Sequence, residues 1–255
     1  MKLYNKFALL LLLTFSFAIA QEHVEDSQVI TIHSIGDSTM AIKPNPDDNP
    51  ERGWAQMLPG FLSGNIALEN YAVNGRSTRS FITEGRWEKV LENLKMGDYV
   101  FIQFGHNDQK ENDPKRYTNP HTAYRANLIK FVEDSRAKGA IPILFTSIVR
   151  RNYNENGTLV DTHGDYPVEV RQVAQEYNVP LIDLQYQTEL LVESFGQEDS
   201  KDLYLHYKPR EIAYYPEGKE DDTHLSVLGA THVARLAVAS LIQKVPALSV
   251  YLKAD

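Results

Sequence analysis

The sequence predicts an α/β domain with a doubly wound parallel sheet. Short, nearly continuous apolar runs of strand length recur at about 29–35, 66–72, 99–104, 140–146 and 179–184. Segments with helical spacing separate them, at 86–94, 124–138, 167–177 and 226–244. Strands that are apolar throughout belong in a sheet covered on both faces, and strict alternation with helices is the mark of parallel crossovers. The first three runs lead directly into Gly36, Gly75 and Gly105, as strands ending in tight turns would.

The chain has 255 residues, 42% of them hydrophobic and 24% charged, enough for one domain with a full core. Residues 1–20 are set apart. Lys2 and Lys6 precede the run Phe7-Ala8-Leu9-Leu10-Leu11-Leu12-Leu13, and Ala18-Ile19-Ala20 is a small-x-small cleavage pattern. This reads as a secretory signal peptide, too short for a membrane anchor. One mature domain, 21–255, is expected, exported to the periplasm or the medium. Cysteine is absent, which excludes disulfides, thiolate metal sites and a lipid-bearing cysteine. The full chain carries a net charge of −8, and loss of Lys2 and Lys6 makes the remainder two charges more acidic. Nucleic acid and anionic membranes are poor partners for such a protein.

Along the chain, Val29 to Ile35 forms the first strand and delivers Gly36-Asp37-Ser38-Thr39 to its carboxyl end. Residues 41–52 contain Pro44, Pro46 and Pro50 and read as loop. A short helix from Gly53 to Leu62 follows, its Trp54 packed on the sheet. The second strand ends at Asn74-Gly75-Arg76-Ser77. Trp87, Val90, Leu91 and Leu94 form the inner face of the next helix. The third strand runs into Gly105-His106-Asn107-Asp108, and the fourth into Arg150-Arg151. Residues 197–222 are polar and read as irregular, and the last helix begins at Ser226.

In an open parallel sheet the ligand site lies outside the carboxyl ends of the strands. Ser38, Gly75, Asn107 and Arg150/Arg151 all follow strands. Alone, Gly-Asp-Ser fits a helix cap as well as a nucleophile. A nucleophilic serine needs a base. His224 lies in Asp221-Asp222-Thr223-His224, where Asp221 is spaced to accept the imidazole Nδ1–H and leave Nε2 for the serine proton. Asp221 and Asp222 could equally complement the N-terminus of the last helix. Backbone N–H groups of Ser38 and Gly75, with the Asn107 amide, would supply oxyanion donors.

Taken in order, Gly36-Asp37-Ser38, Gly75, Gly105-His106-Asn107-Asp108 and Asp221-x-x-His224 resemble the four signature blocks of the SGNH (GDSL-like) hydrolase superfamily. The fuller strings Ile35-Gly-Asp-Ser-Thr-Met40, Asn74-Gly-Arg-Ser-Thr78, Gln103-Phe-Gly-His-Asn-Asp108 and Tyr215-Pro-Glu-Gly-Lys-Glu-Asp-Asp-Thr-His224 resemble its rhamnogalacturonan acetylesterase branch. The resemblance implies a three-layer α/β/α, flavodoxin-like fold. It implies Ser38 as nucleophile, His224 as base and Asp221 as its orienter, with Ser38, Gly75 and Asn107 as the oxyanion hole. The implied activity is removal of O-acetyl groups from pectic polysaccharide, with neither cofactor nor metal. Close relatives of this type act on other acetylated glycans, xylan among them, and lipases and thioesterases share the superfamily.

Other residues bear on rival readings. His106 is expected to shape its turn and Asp37 to brace the one before Ser38. A metal site from His106, Asp108, Asp221 and His224 has suitable ligand types but no supporting spacing. A glycoside hydrolase would pair two carboxylates, Asp108 and Asp221. A non-catalytic glycan-binding protein is the reading without chemistry. Arg76, Arg79, Arg150 and Arg151 are candidates for holding substrate carboxylates, with at least one expected to face the cleft. The tyrosines of 204–215 and Trp54 are candidates for stacking on sugar rings or for core packing.

Overall fold

The computed structural model describes residues 29–253, so the leader at 1–20 lies outside the described residues. In chain order the main elements are β1 (Ile30–Gly36), β2 (Glu51–Arg52), α1 (Trp54–Met57), β3 (Ile66–Asn70), α2 (Thr78–Thr83), α3 (Arg86–Asn93) and β4 (Tyr99–Gln103). They continue with α4 (Arg125–Ala137), β5 (Ile141–Phe145), α5 (Tyr166–Glu176), β6 (Leu181–Ile182), α6 (Leu184–Asp199), β7 (Tyr204–Tyr207), β8 (Lys219–Ser226) and α7 (Val227–Lys244).

The main sheet has five strands in the order β3-β1-β4-β5-β6, all parallel. Counting these strands alone, the order is the flavodoxin-like 2-1-3-4-5. The chain reverses direction across the sheet between β1 and β4, and that is where such sheets bind ligands. The register sets Gly36 beside Gln103 at the carboxyl ends of this pair.

The strands alternate between two cores. In β4, Tyr99 and Phe101 pack with Trp54, Phe145 and the α7 residues Val233, Ala237 and Leu241. Val100 and Ile102 face the opposite way, toward Phe81, Trp87, Val90, Phe131 and Val173 of α2 to α5. All five β4 residues are buried, as a central strand covered by helices on both sides requires. The three-layer α/β/α expectation therefore stands.

The segment 197–222 differs from expectation. It contains β7 and the first half of β8, which form a second, antiparallel sheet with β2 in the order β2-β8-β7. Asp221 and His224 thus sit on a strand, with Leu205 opposite Asp221. β8 carries Lys-Glu-Asp-Asp-Thr-His and only its end is buried, so it shows no apolar alternation by which to recognise it. β2 likewise lies at the end of the proline-rich loop. A short helix, α2, was also not expected. Its Thr-Arg-Ser-Phe-Ile-Thr sequence is a weak helix former, and a capping box compensates. Ser77 accepts from the Ser80 N–H, while the Ser80 hydroxyl accepts from the Ser77 N–H.

Gly36 is where β1 meets its neighbour most closely. A Cβ there would lie 2.7 Å from the Gln103 carbonyl oxygen and 2.5 Å from Met40 Sδ. Only hydrogen fits. Gly36→Ala should destabilise the fold by roughly 1–3 kcal/mol, the range for overpacking, read as a lower urea midpoint at unchanged slope.

Candidate active site

β1 ends at Gly36 and the chain turns at once, with the N–H groups of Met40 and Ala41 donating to the Asp37 carbonyl. No helix follows Ser38, so the capping role has nothing to cap. Asp37 braces the turn as expected: its buried Oδ1 accepts from the Thr39 N–H and lies 2.9 Å from Thr39 Oγ1. Gln103, at the end of β4, accepts from the Trp54 indole N–H at 2.8 Å and donates to the Thr146 carbonyl at 2.9 Å. Trp54 is fully buried in this role, which settles it as core and not as a sugar platform.

Ser38 Oγ lies 2.9 Å from His224 Nε2, and His224 Nδ1 lies 2.9 Å from Asp221 Oδ2. The second carboxylate oxygen, Oδ1, accepts from the N–H groups of Thr223 and His224 at 2.9 and 3.0 Å. Burial alone would raise the pKa of Asp221. The bonds from the His224 ring and from the two backbone N–H groups outweigh it and hold the carboxyl well below its ordinary range. An ionised Asp221 requires a proton on Nδ1. That leaves Nε2 as an acceptor for the Ser38 hydroxyl proton, the tautomer a general base needs.

Gly75 lies just beyond β3 with φ of +76°, a conformation that favours glycine. Asn107 is buried next to it: its side-chain NH2 donates to the Arg76 carbonyl at 3.2 Å, and its Oδ1 accepts from Arg116 at 3.3 Å. An amide has two N–H groups, so one remains for a ligand oxygen. Arg116, itself bonded to Asp113 at 2.5 Å, thus orients Asn107. It lies in a polar loop with no motif around it, and sequence reasoning passed over it.

A cleft of about 340 Å³ opens over these groups, lined by Ser38, Asn74, Gly75, Asn107, Asp221 and His224 together with Glu51, Lys110, Leu205, Tyr215 and Lys219. None of the four expected arginines lines it. Arg76 bonds Glu84, Arg79 the Pro114 carbonyl, and Arg150 reaches Thr162 and the His106 carbonyl. Arg151 is buried against Asp222, Ser200 and the Gln197 carbonyl. The cations at the cleft are lysines. Lys219 lies 3.3 Å from Asp221 and 5.9 Å from the Tyr215 ring centroid, whereas the Lys110 ammonium has no hydrogen bond or ion pair among the described residues. Of the tyrosines, Tyr204 is buried with its hydroxyl on the Val149 carbonyl, and Tyr215 faces the cleft.

The rival constellations are not assembled. His106 is buried with Nδ1 against His163 Nε2 at 3.2 Å, so its ring is turned to the loop after β5. Among the described residues no group of three or more His, Asp or Glu is placed to hold a metal ion. Asp108 is fully buried and accepts from Thr78 Oγ1 at 2.5 Å and Thr118 Oγ1 at 2.7 Å, so it cannot act on a sugar as a glycosidase carboxylate would. No helix among the described residues is long and apolar enough to cross a membrane.

The fold and the Ser38–His224–Asp221 geometry define an esterase-type site, and comparison with known proteins agrees. Residues 34–231 match the GDSL-like lipase/acylhydrolase family, and the chain belongs to that family. It is a carboxylic ester hydrolase. It is 41% identical to the rhamnogalacturonan acetylesterase RhgT of Bacillus subtilis, over 83% of this chain and 89% of that one. It is 29% identical to a rhamnogalacturonan acetylesterase of Emericella nidulans, over 80% of this chain and 81% of that one. Among solved structures, the Bacillus subtilis protein YxiM superposes with a TM-score of 0.72 at 27% identity over 85% of this chain, which spans 57% of that longer one. An acetylxylan esterase from Geobacillus stearothermophilus shares the fold at a TM-score of 0.56 and 18% identity, over 83% of this chain and 94% of that one.

Burial pushes the Asp108 carboxyl up to about 7, against the bonds from Thr78 and Thr118 that favour its ionised form. A carboxyl raised on folding contributes stability below its unfolded value near 4 and loses it as pH climbs through its folded value. Wild-type stability should therefore decline between pH 4 and 7, by a few kcal/mol at most, and Asp108→Asn should flatten that slope. Urea midpoints across this window read the difference.

Proposed function

We propose that this protein removes O-acetyl groups from pectic polysaccharide of the rhamnogalacturonan type, with 21–255 acting as one exported catalytic domain. The observation that carries the reading is the unbroken relay from Ser38 Oγ through His224 to Asp221, 2.9 Å at each step. Its position at the sheet's switch point and the 41% identity to a named acetylesterase support it.

In this reading Ser38 Oγ attacks the acetyl carbonyl carbon while His224 Nε2 takes the hydroxyl proton. Negative charge gathers on the carbonyl oxygen, which the N–H groups of Ser38 and Gly75 and the free Asn107 N–H receive. Each such donor is typically worth about 10²–10³ in turnover. The tetrahedral species collapses, the sugar oxygen leaves with the proton from His224, and Ser38 carries the acetyl group. Water, deprotonated by His224, attacks the acetyl-enzyme. Its collapse releases acetate and returns the proton to Ser38. Asp221 stays ionised throughout, fixing the imidazole tautomer and offsetting its charge when protonated.

The cleft favours a small acyl group on a polar carrier. Leu205 is the one aliphatic side chain among its lining residues, too little for a fatty acyl channel. Lys110 borders both this cleft and an adjoining groove of about 630 Å³ formed by residues 109–113 and Arg116, which gives a polymer a path away from Ser38. Arg116 and Arg150 crowd Lys110 with like charge, an arrangement suited to a uronate carboxylate.

The decisive assay is acetate release from acetylated rhamnogalacturonan, acetylated xylan and a small aryl acetate. Ser38→Ala should lower turnover by roughly 10⁴–10⁶ on each, and near-full activity in that variant would overturn the mechanism. A wild-type preference for xylan would overturn the substrate alone. Lys110→Ala should raise KM about fivefold for acetylated uronate oligosaccharides and leave the neutral aryl acetate within twofold, as loss of one exposed charge pair would.

A further inference from the structure

Lys43 is a charged side chain in a place where charge is costly. It is 1% exposed, behind the turn that carries Ser38. Its Nζ donates to the Ser38 carbonyl at 2.6 Å and to Asn74 Oδ1 at 2.7 Å, and it lies 2.7 Å from Glu51 Oε1. An ammonium has three donors, and all three are taken. A lysine kept only for stability would be matched by Glu51 alone, and replacing such buried pairs with apolar groups is often neutral. Here the other two acceptors are the carbonyl of the nucleophile itself and the residue immediately before Gly75.

The three acceptors also belong to three separate segments. Ser38 follows β1. Asn74 lies in the loop after β3 that presents the Gly75 N–H. Glu51 is on β2, which pairs with β8 through Glu51 opposite Ser226 and Arg52 opposite Leu225. β8 carries Asp221 and His224. One ammonium is therefore bonded to the nucleophile segment, the oxyanion loop and the strand that pairs with the base strand. The Lys43 backbone is itself held, its N–H donating to Gln56 Oε1 at 3.0 Å.

We propose that Lys43 is a positioning residue for the reaction: its ammonium sets Ser38, the Gly75 loop and the β2–β8 pair at the spacing that the acyl-transfer step needs. The proposal rests on the esterase reading above. Burial draws the Lys43 ammonium below its ordinary value, while Glu51, Asp37 and Asp221 act to keep it charged. A fixed positive charge beside the nucleophile and the oxyanion loop also favours the negative charge that develops there. A displacement of even about 1 Å at such a site is worth on the order of 10² in rate.

The test compares wild type, Ser38→Ala, Lys43→Met and Lys43→Gln on an aryl acetate. Measurements are made at a temperature where circular dichroism shows each variant folded. Wild type active and Ser38→Ala inert establishes the esterase reading independently, and an inert wild type overturns that reading. Lys43→Met keeps the stem and removes the ammonium. Its kcat should fall about 10²–10³-fold with KM within threefold, and a fluorophosphonate should label Ser38 more slowly by a similar factor. Lys43→Gln keeps an uncharged donor and should fall between the two, and it decides the matter on the same criterion if Lys43→Met does not fold. A folded variant with kcat and labelling rate within threefold of wild type, however much its melting temperature has dropped, makes Lys43 a stability residue only and overturns the proposal.

Discussion

Two residue pairs of a very short ladder, Glu51 with Ser226 and Arg52 with Leu225, join the halves of this molecule's chemistry. The parallel sheet presents Ser38, Gly75 and Asn107, the proposed nucleophile and oxyanion donors, at its carboxyl edge. His224 and Asp221, the proposed base and its carboxylate, come from an antiparallel strand outside that sheet. Neither sheet alone can bring Ser38 Oγ to 2.9 Å from His224 Nε2. β2 can, because it is pinned on both sides. Trp54, two residues past its end, donates its N–H to the Thr39 carbonyl at 2.8 Å, and the Trp54 ring is locked in the core. A small strand held this firmly acts as a ruler between two larger bodies.

Electrostatics at the site follow from what is buried and what is not. Asp37 and Asp108 sit under the floor, each bonded to threonines. Their burial raises both carboxyls. Asp221 is partly buried and accepts from two backbone N–H groups and a ring nitrogen, and goes the other way. Three carboxylates within one site are thus held differently: the buried pair orders backbone turns, and the third is held ionised against the His224 ring. In this acidic chain two lysines, Lys110 and Lys219, line the cleft.

The parallel sheet was legible because a strand buried on both faces writes an unbroken apolar run, as Tyr99–Gln103 does. Ser38, Gly75 and Asn107 were legible because strand ends in such a sheet face the ligand. Asp221 and His224 were legible as a pair by their spacing, although the strand bearing them was not. β8 is polar along most of its length and gets its order from partners at 51–52 and 204–207, which no local pattern reports. The arginines misled for a related reason. A guanidinium near a strand end finds carbonyls and carboxylates of its own protein first, as Arg151 does with Asp222 and Gln197. Arg116 and Lys43 went unseen because what gives them meaning is three-dimensional: the atoms they bond lie 9, 5 and 31 residues away in the chain.

The bond between Ser38 and His224 closes a loop of 186 residues. Contacts that distant are made after local helices and neighbouring strands have formed, since the entropy of closing the loop has to be met before the contact returns anything. The order of synthesis adds to this, because His224 is made 186 residues after Ser38. A chain made only as far as β6 holds Ser38 without the imidazole that lies against it in the finished fold. The contact between Ser38 and His224 thus has to wait until β8 has been made, whatever the state of the rest of the fold.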